Sequence, residues 1–218
     1  MKYETKYLIR WGIPGWVFLL SILILYGTYN NKFFSAFTTD PVKLISFVVA
    51  VASIGVPVGY IFHQIYFGRF WVMSKKKGIE MIIQHIDGYK RKYREKDVDE
   101  EYFYLEYLWQ SELSLLGKDH RDYIAERYRH LLSTTHSLGV LTVSLSCSFL
   151  VNLFALKEMN IFWGDKIFFG AIIFLLIIIN LLNYWYYSSK THAFMGMFLN
   201  EFINNKERNK ERKQKQGE

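Results

Sequence analysis

Polar side chains follow one face of an apolar segment in the second half of the chain. Ser137, Ser144, Ser148 and Asn152 are separated by seven, four and four residues. On an α-helix this spacing places them above one another on a single face. In a membrane helix, such a stripe either packs against neighbouring helices or lines a narrow aqueous path formed by several copies. We prefer packing, because no ring of charged residues accompanies the stripe to select ions.

Other apolar segments also contain residues that favour helix contact. Gly55 and Gly59 form a Gly-x-x-x-Gly pattern around Pro57, which predicts a close helix contact in preference to a gating hinge. Asn180 lies near the centre of the last apolar segment, where an unpaired amide is costly, so we expect it to hydrogen-bond to another helix. His63, close to the end of its segment, is interpreted as an interface histidine reachable by water and not as a proton sensor.

Signatures of catalysis are weak in this sequence. Arg129 and His136, with six residues between them, resemble the Arg-x4–6-His signature of HEPN ribonucleases, in which both residues act on RNA phosphate. His136, however, lies at the edge of an apolar segment and is poorly placed for RNA. The sequence has no phosphate-binding glycine loop and no nucleophile elbow, and His85, His120 and His130 lack metal-ligand spacing. We therefore expect no enzymatic activity, no catalytic residue, no cofactor and no metal.

Basic residues form two clusters in the long polar segment at the middle of the chain. Residues 75–77 are all lysine, and the second cluster consists of Lys90, Arg91, Lys92 and Arg94. Such clusters fix membrane topology and contact anionic lipid headgroups, or they dock an acidic protein partner. The second cluster leads directly into the acidic residues Asp97, Asp99, Glu100 and Glu101, which favours pairing between helices or subunits. We therefore expect no direct nucleic-acid partner.

The composition of the chain divides into apolar and charged blocks. Of its 218 residues, 51% are hydrophobic and 22% are charged, which argues against a soluble enzyme, a disordered tail or a disulfide scaffold. The single Cys147 cannot form an internal disulfide. A membrane span needs about 20 apolar residues. Four segments meet this requirement, at Trp11–Tyr29, Leu44–Phe67, Leu138–Leu156 and Ile167–Tyr187.

The distribution of Lys and Arg predicts the orientation, because these residues accumulate on the cytoplasmic side of short loops. Both tails and the long central segment together contain twenty-three of them, whereas the two short loops contain four. We therefore expect both termini and the central segment to be cytoplasmic. The first span is interpreted as an uncleaved signal anchor.

The predicted fold class is all-α, a polytopic membrane protein with four transmembrane helices and a helical cytosolic subdomain. Residues 1–67 contain the N-terminal tail and spans one and two, residues 68–137 form the cytosolic loop, residues 138–187 form spans three and four, and residues 188–218 form a helix and a basic tail. We expect the last dozen residues to be disordered.

Helical periodicity is clear in the cytosolic loop. One apolar face contains Ile79, Ile82, Ile83 and Ile86, extended by Tyr89 and Tyr93. A second face contains Val98, Tyr102, Leu105, Trp109, Leu113 and Leu116. We expect a break at residues 117–119, with Asp119 as a helix N-cap, and then one helix that continues into span three.

Three functions are compatible with these features. The preferred one is a non-enzymatic sensor or anchor that signals to a cytosolic protein partner. The alternative is an oligomeric channel or pore-forming effector that alters membrane permeability, and the third is a structural scaffold. The small and hydroxylated helix faces favour a homo-oligomer in each case.

The general plan of the chain resembles the membrane component of Kiwa, a bacterial antiphage defence system. The resemblance consists of four spans, both termini inside and a basic–acidic helical loop from Lys75 to Glu106. The segment Arg10–Trp16 also resembles small membrane proteins of defence islands. The resemblance implies an inner-membrane oligomer that senses phage attack and works with a cytosolic, DNA-binding partner.

Overall fold

The computed structural model of the chain describes residues 2–30, 32–33, 40–94, 96–158 and 163–216. Its described secondary structure is helical, and no strand occurs in those ranges. The elements are α1 (Lys2–Tyr29), α2 (Pro41–Ile65), a π-helix (Tyr66–Trp71), α3 (Val72–Ile83), α4 (Val98–Ser114), α5 (Lys118–Glu158) and α6 (Trp163–Gln216).

Four of these helices are long and apolar enough to cross a membrane, which confirms the predicted number of spans. The candidate spans are Ile9–Thr28, Pro41–Arg69, Lys118–Phe154 and Ile167–Asn204. The last two are longer than predicted, because α5 begins before the apolar segment and α6 continues after it. The protein is therefore an all-α, multi-pass membrane protein.

The chain divides into two compact units. The first contains residues 1–70 and 136–184, and the second contains residues 71–135 and 185–218. The first unit thus contains the apolar segments, and the second contains the helical subdomain.

In the first unit, α1 and α2 contact each other through glycine. A Cβ atom on Gly15 would collide with the Gly55 carbonyl oxygen, and one on Gly59 would collide with the Trp11 carbonyl oxygen. The Trp16 indole nitrogen donates a hydrogen bond of 3.0 Å to the Ala52 carbonyl oxygen, which fixes the register of the two helices. The Gly-x-x-x-Gly pattern therefore serves a contact within one chain.

The second unit has a hydrophobic core of its own. Trp109 is 2% exposed, and its ring centroid lies 4.7 Å from that of Tyr128 and 4.5 Å from that of Phe198. The buried members of this core come from α3, the turn after it, α4, α5 and α6; they are Ile79, Ile82, Ile86, Leu105, Trp109, Leu113, Ile124, Met195 and Leu199. The apolar faces predicted in the central segment thus pack on one another and on Met195 and Leu199 of α6.

Three local predictions are wrong. α3 ends at Ile83, so Tyr89 and Tyr93 do not extend its helical face. Gly88, which follows the end of α3, has a φ of +69° in the left-handed region, so the backbone before Tyr89 is not helical. Asp119 lies in the first turn of α5, because the helix begins one residue earlier. The tail is helical to Gln216, since its Lys, Arg, Glu and Gln residues are strong helix formers.

Replacing Gly59 by Ala should destabilise the first unit, because the added methyl group collides with the α1 backbone. We expect a loss of about 1–3 kcal/mol, seen as a lower melting temperature of the purified protein in detergent. Gly68→Ala is the matched control, since a Cβ there meets nothing within 4 Å. Equal melting temperatures for the two variants would contradict the proposed glycine contact.

Replacing Trp109 by Ala should loosen the second unit. Removal of a buried indole typically costs about 3–5 kcal/mol, so amide hydrogen exchange in α4 should accelerate markedly. Phe103→Ala in the same helix is the control, because Phe103 is 62% exposed. If both variants exchange at the wild-type rate, the described core does not hold this unit together.

Candidate functional site

The polar stripe of α5 faces the interior of the first unit. Ser144 is fully buried and donates a 2.6 Å hydrogen bond to the Pro14 carbonyl oxygen of α1. Ser148, also buried, donates to the Ser144 carbonyl oxygen at 3.0 Å. Asn152 is 1% exposed. Ser144, Ser148 and Asn152 therefore lie among helices of the same chain.

Two buried asparagines in the spans differ in their hydrogen bonding. The Asn180 side-chain nitrogen donates to the Leu138 carbonyl oxygen at 2.8 Å and to the Thr142 hydroxyl at 2.6 Å. These bonds join α6 to α5, as the sequence predicts for this amide. The Asn152 amide has no hydrogen-bond partner among the residues that the structure describes. Gly170 is its close neighbour, since a Cβ on Gly170 would lie 3.1 Å from the Asn152 nitrogen.

Leucine at the two asparagine positions should therefore have opposite effects. Asn180→Leu removes the two hydrogen bonds that this amide donates to α5, so the melting temperature in detergent should fall by the equivalent of about 1–3 kcal/mol. Asn152→Leu removes an unpaired buried amide and should leave the melting temperature unchanged or higher. A larger fall in melting temperature for Asn152→Leu than for Asn180→Leu would contradict this prediction.

The basic cluster forms an exposed loop between α3 and α4 in the second unit. Lys90, Arg91, Lys92 and Arg94 are all exposed. Arg91 approaches Glu80 at 4.0 Å, and the Lys92 ammonium lies 4.3 Å from the Tyr104 ring centroid. A surface ion pair of this length contributes little, so the cluster keeps its positive potential.

A buried carboxylate holds this loop against α4. Glu101 is 3% exposed and accepts hydrogen bonds from the Tyr89 hydroxyl at 2.6 Å and from the Tyr93 backbone nitrogen at 2.9 Å. Burial and this carboxylate raise the pKa of Tyr89 well above its usual value, so its hydroxyl remains a donor at neutral pH. The basic cluster is thus presented by a loop with a fixed backbone.

The other lysine cluster is partly neutralised inside the second unit. Lys75 pairs with Asp99 at 2.7 Å, which joins α3 to α4. Its ammonium also lies 5.4 Å from the ring centroid of Tyr102. The second cluster, residues 90–94, is therefore the stronger candidate for contact with another molecule.

A polar cluster at one end of the first unit was not predicted from the sequence. His63 is 4% exposed, its Nε2 has no hydrogen-bond partner among the described residues, and its ring is stacked on that of Phe67 with centroids 6.1 Å apart. The expectation that water reaches this histidine is therefore wrong. The sequence places His63 near the end of an apolar segment, but its burial depends on how the neighbouring helices pack.

His136 belongs to the same cluster. It is buried, lies 3.3 Å from the Tyr66 hydroxyl through Nδ1, and packs against Phe67 with ring centroids 4.8 Å apart. Tyr66 is 1% exposed and begins the π-helix, and the Tyr184 ring lies edge-on to it at 6.4 Å. Arg129, the other residue of the Arg-x6-His pattern, is exposed on α5 in the second unit.

The described residues show no group of three or more side chains that could hold a metal ion. Comparison with known proteins identifies no relative of this chain. No protein-family model matches the chain, and neither a curated protein nor a solved structure matches it. Function must therefore be inferred from the geometry of the chain itself.

Proposed function

We propose that the protein is a non-enzymatic sensor or anchor subunit of the bacterial inner membrane that signals to a cytosolic effector partner. The observation that supports this proposal most directly is the second unit. It has its own aromatic core, and it presents the basic loop of residues 90–94 at its surface. A protein that only needed to anchor itself would not require such a surface.

The basic loop is suited to an acidic protein partner. Glu101 fixes its backbone, so little ordering entropy is lost when the exposed side chains bind. Its charges steer a negatively charged surface toward it and determine the orientation of docking.

The antiphage setting of the proposal rests on the resemblance in general plan to the Kiwa membrane component. We include self-association in the proposal, through helix faces that remain exposed in the single chain, such as Val42, Ile45 and Val49 of α2.

The channel alternative receives less support. A pore made by several copies would need the hydroxyls of α5 to face a shared axis. Ser144 and Ser148 instead bond to backbone carbonyls inside one chain. Opening such a pore would break the Ser144–Pro14 contact between α5 and α1.

Charge reversal of the basic loop should prevent the effector partner from binding. Lys90→Glu, Arg91→Glu and Lys92→Glu together should abolish partner recovery when the tagged protein is purified from gently solubilised native membranes and analysed by mass spectrometry. The oligomer itself and the amount of protein in the membrane should not change.

The matched control reverses three exposed charges elsewhere in the second unit, as Lys118→Glu, Arg127→Glu and Arg129→Glu. This variant should retain the partner. Equal recovery from the wild type and both variants would show that the loop does not dock the partner. A wild-type preparation without a stoichiometric partner would favour the channel alternative, to be followed with dyes that report membrane potential.

A further inference from the structure

The second unit contains an open pocket beside the basic loop. Its volume, including the mouth, is about 200 Å³, and its lining consists of Lys76, Ile79, Arg91, Arg94, Val98 and Glu101. Two of these residues come from α3, two from the loop between α3 and α4, and two from α4. The two residues of each helix are three positions apart, so they share one helical face. The pocket thus lies where three elements of the same unit meet.

The walls of this pocket are fixed by the surrounding structure. Ile79 is 2% exposed and belongs to the core of the second unit, and Val98 packs against that core. The backbone of the loop is held by the Glu101 carboxylate and by a 2.9 Å hydrogen bond from the Asp97 nitrogen to the Arg94 carbonyl oxygen. Little backbone entropy is therefore lost when a ligand binds there.

The lining of the pocket is positively charged. Lys76, Arg91 and Arg94 are exposed cations, and Glu101 contributes one negative charge, so two positive charges remain. Both oxygens of the Glu101 carboxylate already accept hydrogen bonds from the loop. Cations crowded around one pocket repel each other, and an anion placed among them relieves that repulsion.

The two arginines provide the donors for such an anion. Arg91 approaches Glu80 at 4.0 Å, a distance at which an exposed ion pair contributes little. Arg94 makes no ion pair within the ranges that the structure describes. Guanidinium groups are always charged, and their planar pairs of N–H groups match the oxygens of phosphate. Lys76 adds positive charge to the lining whatever its own hydrogen bonds are.

The size and the charge of the pocket favour a single phosphate group. Its volume is below the roughly 300–1,000 Å³ of typical small-molecule pockets, so it suits one group and not a whole nucleotide. A phosphate monoester carries a charge of about −1.5 to −2 at neutral pH, which matches the two positive charges of the lining. A carboxylate or a phosphodiester carries a single negative charge and matches it less well.

We propose that this pocket binds the dianionic group of a phosphate monoester. The guanidinium groups of Arg91 and Arg94 donate to the phosphate oxygens, and Lys76 strengthens the attraction. A soluble phosphate and a lipid with a phosphomonoester headgroup share this chemistry, and the two arms of the experiment separate them. The proposal does not depend on the signalling partner, because binding is measured on the purified protein alone.

The first arm titrates inorganic phosphate into the full-length protein in phosphatidylcholine nanodiscs at about pH 8, where phosphate is a dianion. Potassium chloride of equal ionic strength is the reference. Phosphate should raise the melting temperature of the wild type more than chloride does. Arg91→Gln and Arg94→Gln should each weaken the apparent affinity about tenfold, as expected for the loss of one charge-assisted hydrogen bond. Val98→Phe keeps every charge but fills the pocket, so it should lose the phosphate effect.

Lys77→Gln and Lys96→Gln are the matched controls. Each removes an exposed cation that is close in sequence to a lining residue but lies outside the lining. Both variants should respond to phosphate as the wild type does.

The second arm uses nanodiscs that contain equal amounts of phosphatidic acid and phosphatidylglycerol, with retained lipid measured by native mass spectrometry. Preferential retention of phosphatidic acid, lost in Arg94→Gln, would identify a lipid phosphomonoester as the ligand. A response to inorganic phosphate without this preference would identify a soluble phosphate.

Three results overturn the proposal. One is a wild type that shows neither stabilisation by phosphate beyond that of chloride nor a preference for phosphatidic acid. Another is a loss in Lys77→Gln and Lys96→Gln as large as that in Arg94→Gln, which would indicate general attraction of anions. The third is a wild-type phosphate response in folded Val98→Phe. If Val98→Phe does not fold, the comparison between Arg94→Gln and Lys96→Gln decides.

Discussion

The structure depends on the absence of water inside a bilayer, which makes an unpaired polar group within a span costly. The first unit pairs several of these groups through contacts between helices, and the Asn152 amide is an exception among the described residues. Ser144 bonds to the Pro14 carbonyl, and Asn180 bonds to the Leu138 carbonyl. Each of these contacts joins two different helices, so the polar residues also determine how the helices are arranged.

Much of the fold could be predicted from the sequence. Apolar runs of span length identify the four membrane helices, because a bilayer imposes a minimum length on any helix that crosses it. The spacing of Leu105, Trp109 and Leu113 likewise identifies the buried face of α4, since a helical period of 3.6 residues is set by backbone geometry alone. Both features are local in the chain, and no knowledge of neighbours is needed to recognise them.

The remaining features depend on contacts that sequence spacing does not encode. Glu101 belongs to an acidic run that the sequence predicts to pair between helices or subunits, yet it is buried because residues 89–93 of its own chain fold over it. His63 and His136 are seventy-three residues apart in the chain, and both contact the ring of Phe67 in the π-helix. The π-helix at Tyr66–Trp71 has no recognised sequence signal, and it separates the apolar segment from the charged one. The positions of these residues depend on contacts between distant parts of the chain, so local spacing does not predict them.

We propose that the helical unit with the basic loop lies in the cytoplasm, where an effector could reach it. Cysteine labelling of spheroplasts with a membrane-impermeant maleimide tests this orientation, in a Cys147→Ala background that removes the native thiol. Two single replacements are compared: Lys90→Cys in the basic loop and Lys43→Cys near the start of α2. We expect labelling of Lys43→Cys in intact spheroplasts and labelling of Lys90→Cys only after lysis. Labelling of Lys90→Cys in intact spheroplasts would contradict it.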